Sequence, residues 1–145
     1  MQNQRGFTLI ELMVVIAIIA ILAAIAISAY ATAIGKTQFS EALSVTDGIK
    51  PDVSSYYHQN GACPGAGDGS IEQPASYAGK YVASVTLASV ADGCTMTALF
   101  RSSTVAPDLR GKQVVLTLEH PQNAGSAAWV CSSNAPEKYV PEPCR

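Results

Sequence analysis

The chain has 145 residues, enough for one compact domain, and 48% of them are hydrophobic. Its formal net charge is −2, and the basic residues are scattered singly, so the composition gives no electrostatic reason to expect nucleic acid as the main partner. Much of the hydrophobic content is concentrated near the N-terminus. The remainder has the composition of an ordinary soluble domain.

The N-terminus is typical of an export segment. A short polar leader, residues 1–6, carries one positive charge at Arg5 and is followed by an apolar run with no polar side chain between residues 12 and 27. As a helix, residues 12–34 would span about 35 Å, enough to cross a bilayer core of about 30 Å. Arg5 ahead of this helix favours a cytoplasmic N-terminus and places the rest of the chain outside.

An ordinary secretory signal is the alternative interpretation of this segment. Small residues near Ala26 and Ser28 would suit general signal peptidase, which would release a soluble, disulfide-bonded binding protein that begins near residue 30. Glu11 argues against it, because a carboxylate at the start of an apolar run costs roughly 2.5–3.5 kcal/mol in a membrane. A disposable signal would gain nothing from that residue.

The run Gly6-Phe7-Thr8-Leu9-Ile10-Glu11-Leu12 resembles the precursor motif of type IV pilins. The resemblance implies cleavage between Gly6 and Phe7, N-methylation of Phe7, and a role for Glu11 in assembly. Within a filament, the new amine at Phe7 and the carboxylate of Glu11 could neutralise each other between neighbouring subunits, which would offset the cost of burying either charge.

The chain departs from the common type IV pilin pattern at two positions. Many members have glycine where this chain has Ala20, and proline where it has Ser28. Ala20 is a strong helix former and Ser28 keeps its backbone N–H, so this helix should resist kinking or melting more than those of other members.

After the apolar run, the helix is expected to continue with one apolar face. Phe39 and Leu43 recur at helical spacing, and Gly48 and Pro51 are expected to bend the helix rather than end it. Residues 61–79 are rich in glycine and proline and predict a connecting loop.

The remainder predicts a four-stranded antiparallel meander, one face of which must be covered by the amphipathic helix. A hairpin with a turn at Asp92-Gly93 accounts for the first two strands. The predicted strands are residues 81–88, 94–101, 113–119 and 127–131. Strict alternation places Val82 and Val85 on opposite faces of the first strand, and Val114, Leu116 and Leu118 on one face of the third. Trp129 and Tyr139 could stack on a sugar or a base, but burial of Trp129 in the sheet is the favoured interpretation.

The four cysteines favour disulfides, because they show no C-x-x-C spacing and lack the histidine partners of a zinc site. Disulfides indicate an oxidising compartment. Four cysteines permit three pairings. Prolines after Cys131 favour a loop closed by Cys131 and Cys144, in agreement with the cysteine-bounded C-terminal region that is usual in type IV pilins. Cys63 with Cys94 is the favoured second pair.

Nothing in the sequence predicts catalysis, a metal site or a cofactor. His58 and His120 have no spacing that suggests a metal pair or a catalytic base, and no nucleophile or nucleotide-binding motif is present. The glycine-rich loop is not placed between a strand and a helix, as a phosphate cradle would require.

The resemblance implies an α+β pilin fold with a long helix packed on the meander and a disulfide-closed C-terminal loop. Its parts would be a leader (1–6), a transmembrane and filament-core helix (7–35) and a globular head (36–145). The head would contain the helix continuation, the loop 61–79, the sheet 81–131 and the disulfide loop 131–144.

The function implied is that of a major type IV pilin, which waits in the inner membrane and then polymerises into an extracellular filament for adhesion, twitching motility or DNA uptake. Implied partners are copies of itself, the prepilin peptidase, the assembly platform and secretin, and a host receptor or DNA. A minor pilin or a pseudopilin of type II secretion is the nearest alternative.

Overall fold

One long helix dominates the computed structural model, which describes residues 6–91, 93–119 and 128–145. Helix α1 runs from Leu9 to Asn60, 52 residues or about 78 Å. Thr8 is its N-cap and forms a capping box with Glu11. At the other end Gly61 adopts the left-handed conformation, with φ of 66°, and donates its N–H to the Tyr57 carbonyl.

Helix α1 is continuous through every position where the sequence could have interrupted it. It passes Ala20 and Ser28 in its first half, and Gly48 and Pro51 in its second. The hydroxyl of Ser28 donates to the Ile25 carbonyl at 3.0 Å, so it adds a local bond to the helix backbone without breaking it.

The rest of the chain forms the predicted antiparallel meander, with strand order β1-β2-β3-β4. The strands are β1 (Val82–Val90), β2 (Gly93–Phe100), β3 (Gln113–Glu119) and β4 (Ala128–Ser133). Asp92 of the predicted turn and Ala127 of the predicted fourth strand lie outside the described residues, as do His120 and most of the leader.

Two details of the sheet correct the sequence interpretation. Strand β4 continues to Ser133, two residues beyond the predicted end at Cys131, because the first proline of the tail comes only at position 136. In β1, strict alternation separated Val82 from Val85, yet both are buried. A register shift between Val82 and Ser84 makes Ala83 an extra residue, which returns the next valine to the inner face.

The core lies between the second half of α1 and the inner face of the sheet. Val114, Leu116 and Leu118 of β3 are buried on that face, and the Phe39 ring of α1 lies 5.8 Å from the Phe100 ring of β2. This arrangement confirms the prediction that the amphipathic part of the helix covers the sheet.

Two disulfides hold the segments that flank the sheet. Cys63 is bonded to Cys94, which ties the loop after α1 to the start of β2. Cys131 is bonded to Cys144, which closes the C-terminal segment onto β4. These are the pairings favoured from the sequence.

Candidate functional site

The first half of α1 is an apolar surface on which no other part of the described chain packs. Its large side chains are mostly exposed: Ile19 is 58% exposed, Leu22 61% and Ile25 64%. Soluble monomers rarely expose a continuous apolar surface of this kind. An exposed apolar patch larger than those usual on soluble monomers marks a site of interaction with a protein or a membrane. By length and composition α1 is able to cross a membrane, the one such helix among the described residues.

Glu11 lies at the beginning of this surface, and its carboxylate is hydrogen-bonded to Thr8, the N-cap residue of α1. Oε2 accepts hydrogen bonds from the backbone N–H of Thr8 at 2.9 Å and from the Thr8 hydroxyl at 2.6 Å. The Thr8 hydroxyl in turn accepts from the N–H of Glu11 at 3.3 Å. Within the described part of the chain Oε1 accepts no hydrogen bond, so it is available to a donor from elsewhere.

Gly6 and Phe7 precede the N-cap in non-helical backbone, and both are exposed, Phe7 by 83%. Backbone outside a helix has no helical hydrogen bonds to lose, so the peptide bond between these two residues is accessible to a peptidase.

The exposed surface ends abruptly at Gly35, the first buried residue of α1. A methyl group at Gly35 would overlap the ring of Tyr139, so this glycine permits the C-terminal loop to lie directly on the helix backbone. Tyr139 is only 6% exposed, which excludes it as a stacking platform.

Polar side chains of the next two helical turns bind the backbone of the head. Gln38, buried at 6% exposure, accepts through Oε1 from the N–H of Ala106 at 2.7 Å. Glu41 accepts from the N–H groups of Tyr81 at 2.7 Å and Val82 at 3.1 Å. These bonds satisfy backbone donors at the entrance to β1 and in the loop after β2, and they fix the head to the helix.

At the far end of the head, the indole of Trp129 donates to the Ser54 hydroxyl at 3.2 Å. Trp129 is half-buried against the core, as favoured from the sequence. Contacts between helix and head therefore extend from Gly35 to Ser54, and α1 and the sheet are connected at both ends.

The C-terminal loop carries an ion pair beside the helix junction. Lys138 binds Asp108 at 2.6 Å, and this hydrogen bond, with the attraction of the two charges, lowers the pKa of the Asp108 carboxyl below its ordinary value. Both side chains are about half exposed, so the pair is screened by solvent and is a minor contribution to stability.

Sequence reasoning missed the junction residues Gly35, Gln38 and Glu41. The buried residues of α1 between Gly35 and Val53 follow one stripe with helical periodicity, which is a detectable signal. However, the search for a helical period counts apolar side chains, so it does not detect a glycine and two polar residues. Among the described residues, no cluster of histidine, cysteine and acidic side chains could hold a metal ion.

Two models of known protein families match the chain. A model of the prokaryotic N-terminal methylation motif matches residues 1–27, and the model of the pilin family, a bacterial filament protein, matches residues 35–145. The chain belongs to the pilin family. It is a structural subunit of a type IV pilus, polymerises with copies of itself, and is not an enzyme.

Individual relatives agree with that assignment. The pilin is 46% identical over 144 residues to the fimbrial protein EcpC of Eikenella corrodens, covering 99% of this chain and 92% of the relative. It is 43% identical over 129 residues to the type IV major pilin protein PilE1 of Neisseria gonorrhoeae, covering 88% of this chain and 58% of that relative. A fimbrial protein of Moraxella nonliquefaciens is 39% identical over 151 residues, with coverage of 97% and 96%.

Proposed function

We propose that this pilin is made as a precursor, that prepilin peptidase cleaves it between Gly6 and Phe7, and that Phe7 becomes its N-methylated first residue. Residues 7–35 then hold it in the inner membrane, with the head, residues 36–145, on the outer side. The observation that carries the proposal is the apolar half of α1, which no part of the described chain covers.

Assembly transfers this helix from lipid to the helices of other subunits. An apolar helix leaves hydrocarbon without a hydrophobic penalty if the new surroundings are equally apolar, and packing between helices supplies the cohesion. The assembly platform and secretin would lift and release the growing filament. Adhesion, twitching motility and DNA uptake are the uses to which an extracellular filament of this class is put, and receptor or DNA would bind the exposed heads.

Glu11 has two successive partners in this proposal. In the membrane its Oε2 is bound by Thr8, which reduces the cost of placing a carboxylate in hydrocarbon. In the filament the free Oε1 accepts from the methylated amine of Phe7 on a neighbouring subunit. Because the two partners use different oxygen atoms, the helix cap does not have to open for the intersubunit pair to form.

Substitutions at Glu11 separate the cap from the charge. Glu11→Gln keeps an acceptor for the Thr8 donors but removes the negative charge, whereas Glu11→Ala removes both. We expect both variants to lose filaments to a similar extent, since a buried amine without its counter-charge is strongly unfavourable. Wild-type filament yield with Glu11→Gln would contradict the charge pair. Glu137→Gln, on the exposed head surface, is the matched control and should assemble normally.

Mass analysis of protein sheared from the cell surface tests the processing step. A mature chain that begins at methylated Phe7 supports the proposal. A chain that begins near residue 30 would overturn it, because that protein lacks the apolar helix.

A further inference from the structure

The charges of the head are distributed unevenly along α1. Three segments meet the helix next to the end of its exposed half: residues 79–81 at Glu41, residues 101–112 at Gln38, and residues 134–145 at Gly35. We name these segments, together with Lys36, the proximal face. Seven of the eight lysine and arginine side chains that the structure describes belong to it: Lys36, Lys80, Arg101, Arg110, Lys112, Lys138 and Arg145.

The remaining described basic residue, Lys50, lies further along the helix and is paired with Asp47 at 2.6 Å. Acidic residues prevail at that distal end: Asp52 and Asp68 line one cleft, and Glu119 pairs with Gly93 at the distal edge of the sheet. The head therefore has a basic proximal end and an acidic distal end.

Not all of the proximal charges are available to a partner. Lys138 and Arg145 are paired with Asp108 and Glu142, and Arg101 donates to the carbonyl of Gly79. Glu41 accepts from two backbone N–H groups, which leaves Glu137 as the proximal carboxylate that forms no ion pair with another described residue.

Five proximal cations form no ion pair within the described residues. They are Arg101, which is bonded to a neutral carbonyl, and Lys36, Lys80, Arg110 and Lys112. Lys80 lies 5.2 Å from the centre of the Tyr81 ring, an arrangement that leaves its charge exposed on one side. The excess of available charge on the proximal face is therefore positive.

The helix brings this face close to the membrane. From Ile34, the last residue of the exposed apolar segment, to Glu41 the helix rises only about 10 Å. The headgroup layer outside the hydrocarbon core is itself roughly 5–8 Å thick on each side, and the screening length at physiological salt is about 8 Å. The bonds at Gln38 and Glu41 leave no free linker by which the head could move away.

We infer that the proximal face is a docking surface for anionic phospholipid headgroups on the outer side of the membrane that holds α1. The inference rests on the proposal that residues 7–35 are embedded there. Docking holds the head upright against the membrane until assembly, and extraction of the subunit breaks these contacts. A second copy, whose distal end is acidic, is the competing partner.

Hydrogen exchange of the full-length processed protein, one copy per lipid nanodisc, tests the inference. In discs with about 30% phosphatidylglycerol, amide exchange in residues 101–112 and 134–145 should be slower than in pure phosphatidylcholine, by on the order of fivefold. About 1 M salt, with a screening length near 3 Å, should remove the difference. Equal exchange in both lipids would overturn the inference.

The triple variant Lys80→Gln, Arg110→Gln, Lys112→Gln should lose the lipid-dependent protection, whereas Lys50→Gln should keep it. Protection retained by the triple variant, or protection that appears only with two copies per disc, would also contradict headgroup binding. Co-purification of the protein with the discs measures membrane insertion independently of hydrogen exchange. Failure to insert would overturn the membrane anchor itself, while insertion without protection overturns only the headgroup contact.

Discussion

The two halves of α1 have the same backbone but different surroundings. Between Leu9 and Ile34 no side chain is buried, whereas seven residues from Gly35 to Val53 are buried along one stripe of the helix. The first half is apolar on every side, and the second half is apolar on one stripe. A helix that is hydrophobic all round requires an apolar environment, whereas a one-sided helix requires a single packing partner, which the sheet provides.

The comparison predicts that the packed half determines folding of the head. Phe39→Ala would remove a ring that is 1% exposed and in contact with Phe100, at a cost of about 3–5 kcal/mol of unfolding free energy. Denaturant unfolding of detergent-solubilised protein measures this loss. A change below about 1 kcal/mol would show that the head does not depend on the helix for its core.

The exposed half should respond in the opposite way. Ile19→Asp would place a carboxylate in hydrocarbon at a cost of about 2.5–3.5 kcal/mol, which corresponds to a loss of filament yield on the order of 100-fold. Unfolding of the head should be unchanged, because Ile19 is exposed and lies outside the part of α1 that packs on the described head. Loss of head stability in this variant would contradict the separation of the two halves.

Each disulfide should stabilise the head but should not affect membrane insertion of the helix. Replacing Cys131 and Cys144 by serine opens a loop with a sequence separation of 13, and should lower the unfolding free energy by about 3 kcal/mol. Cys63 and Cys94, with a separation of 31, should give a similar or slightly larger loss. Membrane insertion, measured by resistance to extraction with salt, should be unaffected in both variants.

The boundary between the halves is tested by a pair of glycines in the same helix. Gly35→Ala would push a methyl group into the Tyr139 ring and should destabilise the head by about 1–3 kcal/mol. Gly48→Ala meets nothing within 4 Å and should stabilise the helix by about 0.5–1 kcal/mol. Equal effects of the two variants on the midpoint of thermal unfolding would contradict the close contact at Gly35.

The smallest effect is expected from the ion pair at the C-terminal loop. Because Lys138 lowers the pKa of Asp108 in the folded state, the pair stabilises the fold above the unfolded pKa of an aspartate, and the stability is lost as pH falls through the folded value. Asp108→Asn should therefore reduce the acid sensitivity of thermal unfolding slightly. Lys138→Gln, which removes the partner of this carboxylate, should have the same effect, and unchanged acid sensitivity in both variants would contradict the role of the pair.

The sequence predicted the parts of this pilin that follow from composition and period. Residues 12–27 identify the exposed helix by their lack of polar groups, and alternation at Val114, Leu116 and Leu118 identifies the buried face of β3. Such patterns are local, so one sequence suffices to recognise them.

The remaining features depend on residues that are distant in sequence. The β1 bulge at Ala83 is visible only in the pairing with β2, and the bond from Gln38 to Ala106 joins residues 68 positions apart. A buried glutamine or glycine has no hydrophobic signal of its own, and its role depends on which loop packs against it. The contacts of Gly35, Gln38 and Glu41 with the head could therefore not be predicted from the hydrophobic period of α1.

A reconstruction of the assembled filament by electron cryo-microscopy tests the central claim most directly. We predict that residues 7–34 of neighbouring subunits form the filament core, with no exposed apolar helix surface, and that the heads face outward. A filament in which this segment is absent, or lies on the outside, would contradict the assignment of the exposed half of α1 as the polymerisation surface.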